Sequence, residues 1–291
     1  MKVHLIDGTY ELFRNYYGAP PRKASDGREV GATLGVVRSV HALLMQPETT
    51  HVACAFDHVV ESFRNDLFEG YKTGEGVEPD LLDQFERVEQ AVAALGVVVW
   101  PMVEFEADDA LATGAVRFGA DPSVEQVIIC SPDKDLAQVV SGDRVVCLDR
   151  RRDIVTDEQG VERKFGVRPE AIPDYLALVG DASDGYPGIT GWGAKSAAAV
   201  LSRFIHLEQI PPDPSEWGLP SGRAARLAET LRERWDEAIL FRRLATLRTD
   251  VPLVESLADL EWRGARDQLK DLSREWGEDG LVTRISRWRS T

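Results

Sequence analysis

Residues 180–198, GDASDGYPGITGWGAKSAA, set the terms on which the rest of the chain is read. Asp181 and Asp184 stand directly ahead of a turn rich in small residues (Gly185, Pro187, Gly188, Gly191, Gly193), and Lys195 opens an alanine-rich helix. Glycine lets backbone approach a polyanion closely, and the free N–H groups at a helix start carry partial positive charge toward it. Carboxylates beside such a turn suit a cation that also touches phosphate.

Toward the N-terminus the pattern changes. Residues 3–7 (VHLID) and 51–57 (HVACAFD) are short apolar runs that end in an acid, and 97–101, 126–131 and 144–149 read as three further strands. Helical spacing of apolar residues predicts helices over 9–17, 32–45 and 81–95, with others starting at 106 and 132. Strands alternating with helices on this scale predict an α/β fold whose mostly parallel sheet is flanked by helices. From 168 onward the β signal disappears, and helices are expected over 169–179, 194–204, 221–235, 236–247, 264–276 and 280–288. The expected division is an α/β domain over 1–167 and a helical region over 168–291.

Ligands of parallel sheets gather at the carboxyl ends of the strands. Asp7, Asp57, the cluster Glu106, Asp108 and Asp109, and the pair Asp133 and Asp135 all fall at that edge, with Asp181 and Asp184 available from the helical half. Helix capping accounts for one or two of the acids near 106 but not for the convergence. So many carboxylates repel one another unless divalent cations neutralise them, and oxygen-only donors favour Mg²⁺ or Mn²⁺ over zinc. Paired hard cations serve displacement at phosphorus, so the acids point to metal-dependent phosphodiester cleavage, with phosphatase chemistry and a solvated acidic surface as the alternatives.

The 291 residues carry a formal net charge of −15, which runs against the basic footprint expected of a nucleic-acid binder unless the acids are concentrated where cations bind. Arginines at 223, 226, 232, 234, 242, 243 and 248 make the helical half the basic face. Cys54, Cys130 and Cys147 lie far apart in apolar runs and read as buried thiols rather than ligands or disulfides. The chain opens on a strand and holds no apolar run of membrane-spanning length, so no signal peptide and a cytoplasmic, nucleoid-associated location are expected.

In order along the chain, IDGTYELFR (6–14), AFD (55–57), SFR and GYK (62–72), EADD (106–109), SPDKDL (131–136) and the 180–198 stretch resemble the 5′-3′ exonuclease and flap endonuclease family, which includes the N-terminal nuclease domain of bacterial type I DNA polymerases and stand-alone enzymes. The resemblance runs from Lys2 to about Pro252. It implies a PIN-like nuclease domain joined to a helix-hairpin-helix type (H3TH) DNA-binding half, with the hairpin motif at 185–204. It further implies that Asp7, Asp57, Glu106, Asp108 and Asp109 hold a first metal ion and that Asp133, Asp135, Asp181 and Asp184 complete a second. Lys72 and Arg14 would contact the scissile phosphate. Gly188, Ile189, Gly191, Gly193, Lys195 and Ser196 would grip the duplex backbone, with K⁺ at the hairpin. Tyr16 and Tyr17 match an aromatic pair that stacks on an unpaired base, although two tyrosines in an early helix also suit a core. Lys134 suits a solvated partner for its flanking acids.

The implied substrate is DNA with a 5′ flap, nick or 5′ end, with a polymerase and a ligase acting in trans. Two departures from the family bear on this. Trp192 stands where a small aliphatic is usual, and Thr73-Gly74-Glu75-Gly76 supplies an acid where a second basic residue is common, which leaves a short, poorly charged arch. The rival expectations are a catalytically impaired DNA-junction binding protein and a PIN-like ribonuclease.

Overall fold

A computed structural model describes residues 1–289, and the chain divides into two compact units. Unit 1 comprises Met1–Val60, Gly74–Ser131 and the segment from Thr249 onward; unit 2 comprises Glu61–Thr73 and Pro132–Arg248.

Unit 1 is built on four parallel strands in the order β3-β2-β1-β4, with β1 Lys2–Asp7, β2 His51–Asp57, β3 Val98–Met102 and β4 Gln126–Cys130. β1 and β2 are buried almost throughout, which is why they read as continuous apolar runs rather than alternating ones. Around the sheet lie α1 Gly8–Gly18, α2 Gly31–Leu44, α3 Pro79–Leu82, α4 Phe85–Ala94 and α5 Ala107–Gly119. Because β1 and β2 run in parallel, their final residues, Asp7 and Asp57, emerge at the same edge.

The helix expected over 81–95 is two helices. Gln84 interrupts it: its side-chain oxygen accepts from the Thr33 N–H at 3.0 Å and the Thr33 hydroxyl at 3.1 Å, and its amide donates to the Asp80 carbonyl at 3.0 Å. A buried side chain bonded to a neighbouring helix has outweighed the amphipathic periodicity.

Unit 2 holds an antiparallel pair, β5 Val145–Asp149 and β6 Ile154–Thr156, followed by α6 Glu158–Phe165, α7 Ile172–Val179, α8 Ala194–Phe204, α9 Ser221–Glu233 and α10 Trp235–Ala245. β6 and α6 are additions to the sequence expectation, and the helix expected from 132 is a single 3-10 segment, Asp135–Val139. α7 packs on α10, and α8 packs on α7. The C-terminal part of unit 1 adds α11 Gln268–Glu275 and α12 Asp279–Arg284, both shorter than the spacing predicts. The three cysteines are buried thiols outside any disulfide, as expected. Among the described residues no helix is long and apolar enough to cross a membrane.

Candidate metal centre

In unit 1 the acids are held by backbone. Asp7 caps α1: the Tyr10 N–H donates to its Oδ1 at 2.8 Å, and the Ser131 hydroxyl donates to its Oδ2 at 2.7 Å. The Asp57 carboxylate accepts from the Ala107 N–H at 2.8 Å, at the start of α5. Asp109, fully buried, accepts the Glu106 N–H at 3.0 Å, and Glu106 is itself buried. Capping therefore explains Asp7, Asp57 and Asp109 locally, while Asp108 stands half-buried in the first turn of α5. Each of these three carboxylates is oriented by a backbone N–H group at the start of a helix.

In unit 2 the acids face one another. Asp135, Asp181 and Asp184 are all buried, and one carboxylate oxygen from each lies within 4.8 Å of the others. Asp133, exposed, accepts the Asp135 N–H at 2.8 Å and so shapes the 3-10 segment that carries Asp135. Asp181 and Asp184 sit on the turn between α7 and α8, where Asp181 N–H donates to the Tyr186 carbonyl at 2.9 Å and Tyr186 N–H donates back at 3.1 Å.

Two glycines make that turn possible. Gly185 has φ +87, and a side chain there would overlap the Gly70 carbonyl oxygen; Gly188 has φ +71, and a Cβ would come within 2.7 Å of the Leu178 carbonyl oxygen. Both positions need the left-handed backbone and the missing Cβ.

Charge decides what the unit 2 acids can hold. Burial pushes the Asp135 carboxyl well above its ordinary value, and the charges of Asp133, Asp184 and Asp181 push the same way against the opposing Lys134. Asp135 Oδ1 is buried with no hydrogen-bond partner among the described residues. Lys134 bonds Asp181 at 2.5 Å, and Lys72 lies 3.3 Å from Asp184. Burial alone would lower the Lys134 ammonium, but Asp181 and its neighbours hold it above its ordinary value. A buried carboxylate oxygen without a donor, inside an all-oxygen set of excess negative charge, fits a hard divalent cation.

The remaining expected site residues fall as follows. Lys134 pairs with Asp181 rather than resting between its flanking acids. Arg14 pairs with Glu11 and donates to the Ser39 hydroxyl at 3.2 Å. Tyr17 is 63% exposed, its hydroxyl donates to Glu78 at 2.6 Å, and Tyr16 meets it edge-on, so Tyr17 is no core residue. In the hairpin Gly191 and Lys195 are exposed, and Gly193 is half-buried. Ile189 and Ser196 are buried, and the Ser196 hydroxyl both accepts the Gly193 N–H and donates to the Gly193 carbonyl. Trp192 turns inward against Trp217, its indole donating to the Leu227 carbonyl at 3.2 Å. Of the helical arginines, Arg234 pairs with Glu237, Arg242 with Glu208 and Asp174, and Arg248 lies over the Phe63 ring at 5.9 Å. The sequence assigns Tyr186 no role, yet it is buried beside the three carboxylates; its one signal there is an aromatic residue in a turn of small ones.

A buried trio of carboxylates beside a glycine-rich turn offers an all-oxygen donor set suited to a hard cation. Residues 2–166 match the family described as 5′-3′ exonuclease, N-terminal resolvase-like domain, and residues 167–268 match 5′-3′ exonuclease, C-terminal SAM fold; the chain belongs to the 5′-3′ exonuclease family. It is 31% identical to DNA polymerase I of Bacillus caldotenax, over 98% of this chain and 32% of that protein, and spans about a third of such relatives' length. It is 30% identical to the 5′-3′ exonuclease of Aquifex aeolicus, over 98% of this chain and 95% of that one. The fold is shared with the bacteriophage T5 D15 flap endonuclease, solved as a pseudo-enzyme-product complex with DNA and metal ions (TM-score 0.65, 17% identity, 84% of this chain and 89% of that one).

Proposed function

We propose that this chain is a divalent-metal-dependent DNA nuclease that hydrolyses phosphodiester bonds at or near 5′ ends, both exonucleolytically and at 5′ flaps. The observation that carries this reading is the buried trio Asp135, Asp181 and Asp184 with its orphaned oxygen, in a chain of this family. Asp133, Asp135, Asp181 and Asp184 would hold one Mg²⁺ or Mn²⁺ ion, and Asp7, Asp57, Glu106, Asp108 and Asp109 another. Such ions, when bound, activate water and neutralise the leaving oxygen.

The chain's own groups do the rest. Backbone N–H groups around Gly188, Gly191 and Gly193 would position a DNA phosphate, since the Ile189 and Ser196 side chains face inward; Lys195 would add charge, and K⁺ would seat there. Lys72 and Arg14 would exchange their present carboxylate partners for the reacting phosphate. Tyr17, exposed beside Tyr16, would stack on an unpaired terminal base. On this reading residues 1–167 form the nuclease domain and 168–291 the DNA-binding region, which also supplies the ligands Asp181 and Asp184, with a polymerase and a ligase acting in trans at the nucleoid.

Incubation with a 5′-flap duplex tests this. Cleavage is expected with Mg²⁺ or Mn²⁺, and none with EDTA. Retention of the duplex without cleavage in Mg²⁺ overturns the proposal in favour of a junction-binding protein, and preferential cleavage of RNA overturns it in favour of a ribonuclease.

A further inference from the structure

Tyr186 is placed where an apolar ring would serve the fold equally well. It is 1% exposed and ranks among the largest fully buried side chains. Its ring stacks on Phe241, with centroids 5.6 Å apart and planes at 23°, and Phe241 meets Phe68 edge-on at 5.8 Å. Its backbone exchanges two hydrogen bonds with Asp181. None of these contacts uses the hydroxyl, which has no hydrogen-bond partner among the described residues.

An unpaired buried hydroxyl costs about 1–3 kcal/mol, and phenylalanine would keep the stack without that penalty. The carboxylates of Asp135, Asp184 and Asp181 all act on the hydroxyl, and Arg64 opposes them. A phenol keeps its proton at neutral pH, so the hydroxyl is a donor. Ionised carboxylates only accept hydrogen bonds, so donor and acceptors are matched in kind.

We infer that the Tyr186 hydroxyl is a positioning group for the cation site, donating to one of the three carboxylates when a divalent ion aligns them. This rests on the reading of Asp135, Asp181 and Asp184 as ligands. Groups that orient metal ligands from outside the coordination sphere change affinity without touching the ion.

The test is Mn²⁺ binding to the full chain, measured by calorimetry and by the electron-spin signal of free Mn²⁺, for the unsubstituted protein, Asp135→Asn and Tyr186→Phe. Asp135→Asn identifies the binding step that belongs to unit 2. Tyr186→Phe is expected to weaken that step about tenfold while the metal-free Tm stays the same or rises. An unchanged step overturns the proposal, and an unchanged step with a lowered metal-free Tm makes the hydroxyl structural. If the unsubstituted protein shows no step that Asp135→Asn removes, the metal reading itself fails, and this inference with it.

Discussion

Asp7 in unit 1 and Asp135 in unit 2 are both buried aspartates, 5% and 6% exposed, yet their oxygens are hydrogen-bonded differently. Asp7 has a donor on each oxygen, one from the α1 backbone and one from Ser131. Asp135 has an oxygen with no donor and three carboxylates for neighbours. The difference is not that unit 2 lacks donors. Asp174, also in unit 2 and equally buried, receives Leu207 N–H and Arg242 on one oxygen and lies 3.0 Å from His206 Nδ1 on the other. Asp7 and Asp174 have both oxygens engaged within the fold, whereas an Asp135 oxygen is left without a donor.

The largest expected effect breaks the comparison at Asp135 itself. Asp135→Asn removes charge and a ligand oxygen, and cleavage of a 5′-flap duplex in Mg²⁺ should fall by about a hundredfold or more while retention of the duplex in a gel-shift assay is unchanged. Cleavage within a few-fold of the unsubstituted rate would mean that Asp135 holds no essential ion.

Next comes the scaffold that brings Asp184 to Asp135. Gly185→Ala introduces a Cβ at φ +87 against the Gly70 carbonyl and should destabilise by about 3 kcal/mol, read as a lower midpoint in urea. A midpoint unchanged within error would mean the turn relaxes freely and does not fix the acids.

The smallest effect is the sharpest, because the two aspartates should move in opposite directions. In EDTA, Asp7→Ala loses an N-cap and a hydroxyl bond and should lower stability by about 2 kcal/mol. Asp135→Asn relieves buried like charge and should raise stability by about 1–2 kcal/mol under the same conditions. Two changes of the same sign would erase the distinction between an acid with a donor on each oxygen and one with an oxygen left without a donor.

Much of this was legible before any coordinates. The runs ending at Asp7 and Asp57 are strands because a doubly covered parallel strand must be apolar almost throughout, and α8 spans the 194–204 that its alanine-rich spacing predicts. Nine carboxylates could be named as candidates, and the trio that meets lies among them. Less legible were β6, too short to show a period, and the split between α3 and α4, which depends on Gln84 reaching Thr33. Lys134 was misjudged for the same reason: its neighbours in sequence are acids, but its partner is Asp181.

The sequence by itself determined which residues could bear chemistry, because hydrophobic period, glycine and carboxylate are local properties. Only the tertiary structure decided which carboxylates are satisfied and which are strained. Whether Asp135 finds a donor, whether Lys134 turns to Asp181, and whether the Tyr186 hydroxyl is left beside three acids depend on residues far away in the chain. Electrostatic energy in a low-dielectric interior is set by distances across space, and sequence order does not encode those distances.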